Sequence, residues 1–487
     1  MKKLVLLLFF AVLANVQFVK GQDLESQELL KLRNQDFVPI GESNGYVFYY
    51  SWMRFKADLK ITVYKYKEEN LELVDTKEIF IKDIRPKVFN DHCKIDAYFK
   101  NNKFYFFYSL LHSGDFHVGL MTVDESLANS QDLQLGVIVE TGYELLGNYF
   151  ISLSPDNKTA IVALKNRCER KKAIGTNTTT NFENTELVCV DLINNKINYS
   201  KRLPIDMQEA RLSTSQYKTD NDGNLTFIAS LSGRKDGNYV GAVGIGMLNK
   251  SDEKIKITEI DVTGSSSISS DLIQTKGGDL IYTGSLSNKT LFKILPMDKS
   301  KKWIEISLPV YKSSNEKIND NRLYKVTEAD NGYFLTFYHG KLNFYGYSTL
   351  FKFSVSLITK TGELKWHKEL PCLVPIEVNF NGNLGINVIS YNNKNFVFFG
   401  ENKPYELTPR VEKTISETTL YYAYDFKKTN TVMISMDENG TIQKNIINDN
   451  EVFVADPSYK DFVSEKGVLF MPLEGKKSYK LKKIVLK

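Results

Sequence analysis

Short runs of Val, Ile, Tyr and Phe, alternating with polar residues, recur from one end of the chain to the other. Examples are YVFYYSW (46–52), KFYFFYSL (103–110), NLTFIASL (224–231), YFLTFYHG (333–340) and NFVFFG (395–400). β-Branched and aromatic residues with a period of two predict strands. A 3.6-residue period is nowhere convincing. Only LESQELLKL (24–32) reads equally well as helix or strand.

A turn of Asn, Asp, Gly or Lys precedes each aromatic run. The turns are Asn44-Gly45, Asn101-Asn102, Asp156-Asn157, Asp222-Gly223, Gly277-Gly278, Asn331-Gly332, Asn393-Lys394 and Lys466-Gly467, at intervals of 54 to 73 residues. Asn, Asp and Gly adopt the positive φ that tight hairpins require. A turn recurring at such an interval is the mark of a repeat.

The repeating unit has four strands. One strand enters the turn and the aromatic strand leaves it. A third follows a variable loop, as in LKITVYKY (59–66) or TLFKFSVSL (349–357). A fourth follows a short polar turn, as in LELVDTKEIFI (71–81) or ELKWHKEL (363–370). Four antiparallel strands with recurring turns describe a β-propeller blade, and radial packing protects the edges that so large an open sheet would expose. The expected fold is all-β, a propeller of about eight four-stranded blades, or seven. The last unit reaches only its third strand at Lys487, and the segment near 24–34 would supply the fourth and close the ring. The alternative is two sandwich-like β-domains with coincident turn spacing.

Residues 1–21 read MKKLVLLLFFAVLANVQFVKG: a basic start, an apolar run from Leu4 to Ala14, and small residues at Val19 and Gly21. This is the layout of a secretory signal peptide, with Gln22 opening the mature chain, and the run is short for a membrane span. An uncleaved anchor is the alternative. No later stretch approaches eighteen apolar residues, so the expected mature chain is exported, periplasmic or extracellular, and does not span a membrane. The formal charge of +5 falls to about +2 once Lys2, Lys3 and Lys20 leave. No basic tract for nucleic acid is present.

Four cysteines remain, Cys93, Cys168, Cys189 and Cys372. An oxidising compartment favours a bond between Cys168 and Cys189, which flank the polar stretch 169–185. Cys93 with Cys372 is a second pairing, with free buried thiols as its alternative. Thiol-redox chemistry has no CxxC to support it.

The pattern resembles that of secreted β-propeller proteins of Bacteroidota-type bacteria, whose chains are rich in Lys, Asn, Tyr and Phe. The resemblance covers most of residues 35–487 and rests on pattern, without a WD or kelch motif. It implies a fold and a compartment. Enzymes, glycan binders and accessory parts of outer-membrane assemblies share it, so it implies no single activity.

In such a blade the turns joining strands one to two and three to four emerge on one face, and here they are all short. Loops joining strands two to three, with the connectors between blades, emerge on the other face and carry the variation. The loops are about 52–57, 110–116, 167–185, 232–238, 285–289, 339–348 and 401–418. Variable loops on a rigid scaffold are where function tends to sit. The binding-face candidates are Trp52, Arg54, His112, Asp115, Arg234, His339, Tyr345, Tyr347 and Arg410, with Lys235 and Asp236 beside them. Aromatic and arginine side chains suit protein or sugar contacts. Trp52 and Tyr345 could equally cap the core, and Arg54 could pair with a carboxylate.

Catalytic and metal motifs are weak. His92, His112 and His117 with Asp91 and Asp115 could in principle hold zinc, but no spacing enforces it. Asp220, Asp222 and Asn224, and Asp437, Asn439 and Thr441, resemble partial calcium loops. They lack the acid at position twelve, where Leu231 and Asn448 stand. No GxSxG is present, and GSSSISS (264–270) reads as a connector. A glycosidase needs only two carboxylates at the right separation, which Asp91, Asp115, Asp236 and Glu401 leave open. The Asn-x-Ser/Thr sites at Asn157, Asn177 and Asn288 read as chance matches. The expectation is a non-catalytic, cofactor-free protein of the cell envelope that presents its loop face to a protein partner. A carbohydrate-active hydrolase or lyase and a glycan-binding module stacking on Trp52, Tyr345 and Tyr347 are the alternatives.

Overall fold

The computed structural model describes residues 38–55, 58–81, 93–112, 115–139, 149–172, 179–203, 211–235, 238–260, 269–275, 278–286, 289–295, 304–308, 320–342, 348–370, 376–378, 387–402, 429–449, 452–453, 467–475 and 478–486. The signal segment, residues 24–34, Cys372 and residues 264–268 lie outside them.

Sheet 1 holds β1 (Val38–Ser43), β2 (Tyr46–Phe55), β3 (Asp58–Lys67) and β4 (Leu73–Ile81). Sheet 2 holds β5 (Cys93–Lys100), β6 (Lys103–His112), β7 (Asp115–Asp124) and β8 (Ser130–Val139). Sheet 3 holds β9 (Tyr149–Leu153), β10 (Thr159–Lys172), β11 (Thr179–Asp191) and β12 (Lys196–Arg202). Sheet 4 holds β13 (Arg211–Thr219), β14 (Leu225–Lys235), β15 (Asn238–Leu248) and β16 (Lys256–Ile260). Sheet 5 holds β17 (Ser269–Gln274), β18 (Leu280–Leu286), β19 (Lys289–Leu295) and β20 (Ile304–Leu308). Sheet 6 holds β21 (Asp320–Ala329), β22 (Gly332–Leu342), β23 (Ser348–Thr359) and β24 (Leu364–Glu369), and the short β25 (Ile376–Val378) also pairs with β23. Sheet 7 holds β26 (Asn387–Tyr391), β27 (Lys394–Asn402), β28 (Thr429–Asp437) and β29 (Ile442–Asp449). Sheet 8 holds β30 (Val452–Phe453), β31 (Val468–Gly475) and β32 (Ser478–Val485).

Within each sheet the main strands follow one another in chain order. The four-stranded blade expected from the turns is thus met six times rather than eight: sheet 6 carries a fifth strand and sheet 8 has three among the described residues.

Alternation along the second strand explains why it reads as an almost unbroken apolar run. Successive side chains point to opposite faces of a strand, and here each face meets a different neighbour. Phe48 and Tyr50 of β2 enter the core shared with sheet 2, while Val47 and Tyr49 enter the one shared with sheet 8. Phe104 and Phe106 of β6 face sheet 1, and Tyr105 and Phe107 face sheet 3. Phe396 and Phe398 of β27 face sheet 8, and Val397 and Phe399 face sheet 6.

Each pair of adjacent sheets therefore has its own hydrophobic core. The last sheet packs on the first through Val468, which joins Val47, Tyr49, Tyr66 and Leu71. Lys483 Nζ donates to the Glu68 carbonyl across the same seam, at 2.8 Å. Antiparallel sheets packed face to face in series, with first against last, make a β-propeller, and the two-sandwich alternative falls away.

Turn chemistry agrees with the residues that announce it. Asn44, Asn101, Asn102, Asn157, Asn392 and Asn393 all have positive φ, as do Gly45, Gly223 and Gly467. Residues just past the third strand tie the two turns of a sheet together: Glu68 N donates to Gly45 O, Glu125 N to Asn102 O and Leu486 N to Gly467 O.

Candidate functional site

The loop face is built differently from the sequence expectation. Much of what reads as polar loop is strand. Residues 52–55 belong to β2, 110–112 to β6, 167–172 to β10, 179–185 to β11, 232–235 to β14, 339–342 to β22 and 401–402 to β27. The second and third strands of these sheets run on into the face as hairpins.

Sheet 3 shows this most strongly. β9 accompanies β10 only as far as Leu164, and β12 accompanies β11 only as far as Glu186. The β10–β11 ladder continues alone to Lys172 opposite Thr179. At about 3.3 Å per residue, the ribbon stands roughly 25 Å beyond the rest of its sheet. Its outgoing strand carries Lys165, Arg167, Arg170, Lys171 and Lys172 against Glu169, and its returning strand carries Glu183.

The ladder also corrects the expected disulfide. Cys189 stands opposite Ile161, while Cys168 stands opposite Phe182, seven residues further along β10. A bridge needs Cα atoms within about 7 Å, and this offset is several times that. Cys189 is a free, buried thiol, pushed up from its ordinary pKa chiefly by burial.

Trp52 belongs to a strand. It lies on β2 opposite Ile61 and packs, partly buried, against the core between sheets 1 and 2. His112 and Asp115 face each other as the last pair of the β6–β7 ladder, and Asp115 is half-buried. Arg54 stands opposite Leu59, Arg234 opposite Tyr239 and His339 between Asn321 and Lys352. The side chains of Arg54, His112, Arg234 and His339 lie outside the described residues, as do Tyr345, Tyr347, Arg410, His92, Asp91 and Asp236. The ladders thus place Arg54, His112, Arg234 and His339 on separate sheets of one face. Among the described residues no three His, Cys, Asp or Glu converge as metal ligands.

The opposite face is well defined, and several of its aspartates are occupied by their own turns. Asp220 Oδ1 accepts from the backbone of Asp222 and Asn224, and its Oδ2 accepts from the Asn224 amide. Asp437 Oδ1 accepts from the backbone of Asn439 and Thr441. These contacts account for both calcium-like stretches as hairpin turns. Burial pushes Asp124 up, but hydrogen bonds from Ser126, Asn129 and the Ala128 backbone outweigh it and hold the carboxyl below its usual range. Asp191 behaves likewise through Asn194 and Ile193.

One half-buried lysine escaped the sequence reading. Lys325 lies on β21 opposite Thr336, next to a bulge in the ladder, and burial pushes its pKa down to about 8. Bulges re-aim side chains, often beside functional sites. A single bulge leaves no mark in residue pattern, so nothing in the sequence distinguishes Lys325 from the surface lysines.

No family model and no curated protein matches the chain. Solved structures similar to it include the β-propeller domain of the Trilobed protease from Pyrococcus furiosus, at 10% identity and TM-score 0.37, covering 75% of this chain and 89% of that one. Polysaccharide lyase Uly1 is similar at 10% identity and TM-score 0.42, covering 80% of this chain and 90% of that one. Prolyl oligopeptidase B from Galerina marginata is similar at 14% identity and TM-score 0.38, covering 91% of this chain and 55% of that one. The similarities are distant, and the propeller class rests on the sheet order and the seam.

Proposed function

We propose that this propeller is a non-catalytic interaction protein of the cell envelope, which docks a protein partner on its loop face. The observation that carries the reading is the β10–β11 ribbon. A two-stranded ribbon standing free of its sheet has unpaired backbone edges, which a partner strand can extend. Its basic outgoing strand favours an acidic partner surface. The envelope location rests on the signal-like residues 1–21. The carboxylates of the described residues whose titration is displaced, Glu72, Asp124 and Asp191, are all held below their usual range. A glycosidase acid needs the reverse.

The test is a native pull-down of the tagged protein from solubilised envelope, with chemical cross-linking and mass spectrometry. A second bait has residues 166–184 replaced by a short turn, which keeps the Lys165–Thr185 pair and the sheet below it. The expected result is a stoichiometric envelope partner cross-linked to the loop face and lost from the second bait. Cross-links on the short-turn face, or a partner retained by the second bait, would overturn the ribbon as the docking element. Turnover in a glycan and peptide substrate screen would overturn the non-catalytic reading.

A further inference from the structure

The outer edge of β32 differs from its counterparts. In sheets 1 to 7 the third strand is flanked by a fourth, while in sheet 8 no fourth strand is described. Val485 on β32 is 46% exposed.

Elsewhere the fourth strand fills the joint with the next sheet. Lys201 of β12 donates to the carbonyls of Asn249, Lys250 and Asp252 in the outer turn of sheet 4. Trp366 and Lys368 of β24 donate to Glu438 O and Gly440 O in that of sheet 7. At the seam the third strand makes this contact instead, through Lys483 to Glu68 O. Beside it lies a cleft of ≈ 530 Å³ between Lys483 and Tyr46, Lys67, Glu68 and Glu69.

We propose that residues 24–32 of this chain add to the outer edge of β32 as its antiparallel fourth strand and close the ring. Three properties of LESQELLKL fit that place. It has the length of β4, LVDTKEIFI. Its Leu30 and Leu32 fall where β4 has Ile79 and Ile81, which are buried in the core between sheets 1 and 2. Residues 33–37 would then join the strand to β1, a connector shorter than 82–92 and longer than 450–451, which join β4 to β5 and β29 to β30. The direction fits as well: fourth strands run towards the loop face, where β1 begins.

Hydrogen exchange on the chain beginning at Gln22 tests this. The expected result is joint protection of residues 24–32 and of β32, at least tenfold above unstructured amides. Leu30→Asp with Leu32→Asp should abolish both. Should that variant fail to fold, the chain lacking residues 22–34 is measured with and without a synthetic 22–34 peptide. Restored β32 protection at one peptide per chain supports the proposal. Unprotected amides at 24–32, protection unchanged in the variant, or protection confined to a dimeric fraction on size exclusion would each overturn it. None of these readouts depends on the loop face or its partner.

Discussion

Tyr333 OH donates to Asp279 Oδ2 at 2.9 Å, so a phenol of sheet 6 is held by a carboxylate of sheet 5. Burial, followed by the hydrogen bond to Asp279 and its charge, pushes the phenol above its ordinary pKa. The Tyr333→Phe variant should lose about 1–2 kcal/mol. Chemical denaturation of the two proteins measures the loss.

Cys189 should resist alkylation by iodoacetamide in the folded chain and react fully once unfolded, because only the thiolate attacks and burial disfavours it. Non-reducing peptide mapping should find no Cys168–Cys189 link. A recovered linked peptide would contradict the β10–β11 register.

Two glycines should respond differently to alanine. A Cβ on Gly332 would sit 1.9 Å from the Ile358 carbonyl oxygen, so backbone must move. At Gly45, with φ of +79°, a Cβ meets nothing within 4 Å and the cost is conformational alone. Gly332→Ala should destabilise by roughly 2–4 kcal/mol and Gly45→Ala by about 1 kcal/mol. Thermal melts of the two variants give the order.

Lys325 makes stability depend on pH at the alkaline end. Its pKa falls from 10.5 to about 8 on folding, so the folded chain holds that proton less tightly than the unfolded chain. The resulting penalty is full below about pH 8 and fades as pH rises towards 10.5, where the unfolded lysine also loses its proton. Lys325→Met should therefore stabilise the protein at pH 7 by roughly 1–2 kcal/mol. The advantage should shrink above pH 8, and denaturation midpoints from pH 6 to 10 follow it.

The blade was legible where residue type reports geometry. Asn44-Gly45 and Asn101-Asn102 announced hairpins because so few residues tolerate positive φ, and the runs after them announced second strands because both faces are buried. The ribbon at 165–185 was illegible for the opposite reason. KNRCERKK has no apolar alternation, so it reads as loop. The Cys168–Cys189 bond was inferred from proximity in sequence, whereas ladder register decides the pairing. Trp52 shows that an aromatic at the edge of a variable stretch can belong to the core below it.

The separate core at each joint has an evolutionary consequence. Phe48 and Tyr50 must suit only sheet 2, and Val47 and Tyr49 only sheet 8, so a change in one cluster requires compensation in one neighbour alone. Repeats freed in this way from a common packing template drift apart at their own pace. Such drift leaves the rhythm of the hairpins as the shared inheritance of the sheets, and no two of them need keep the same side chains.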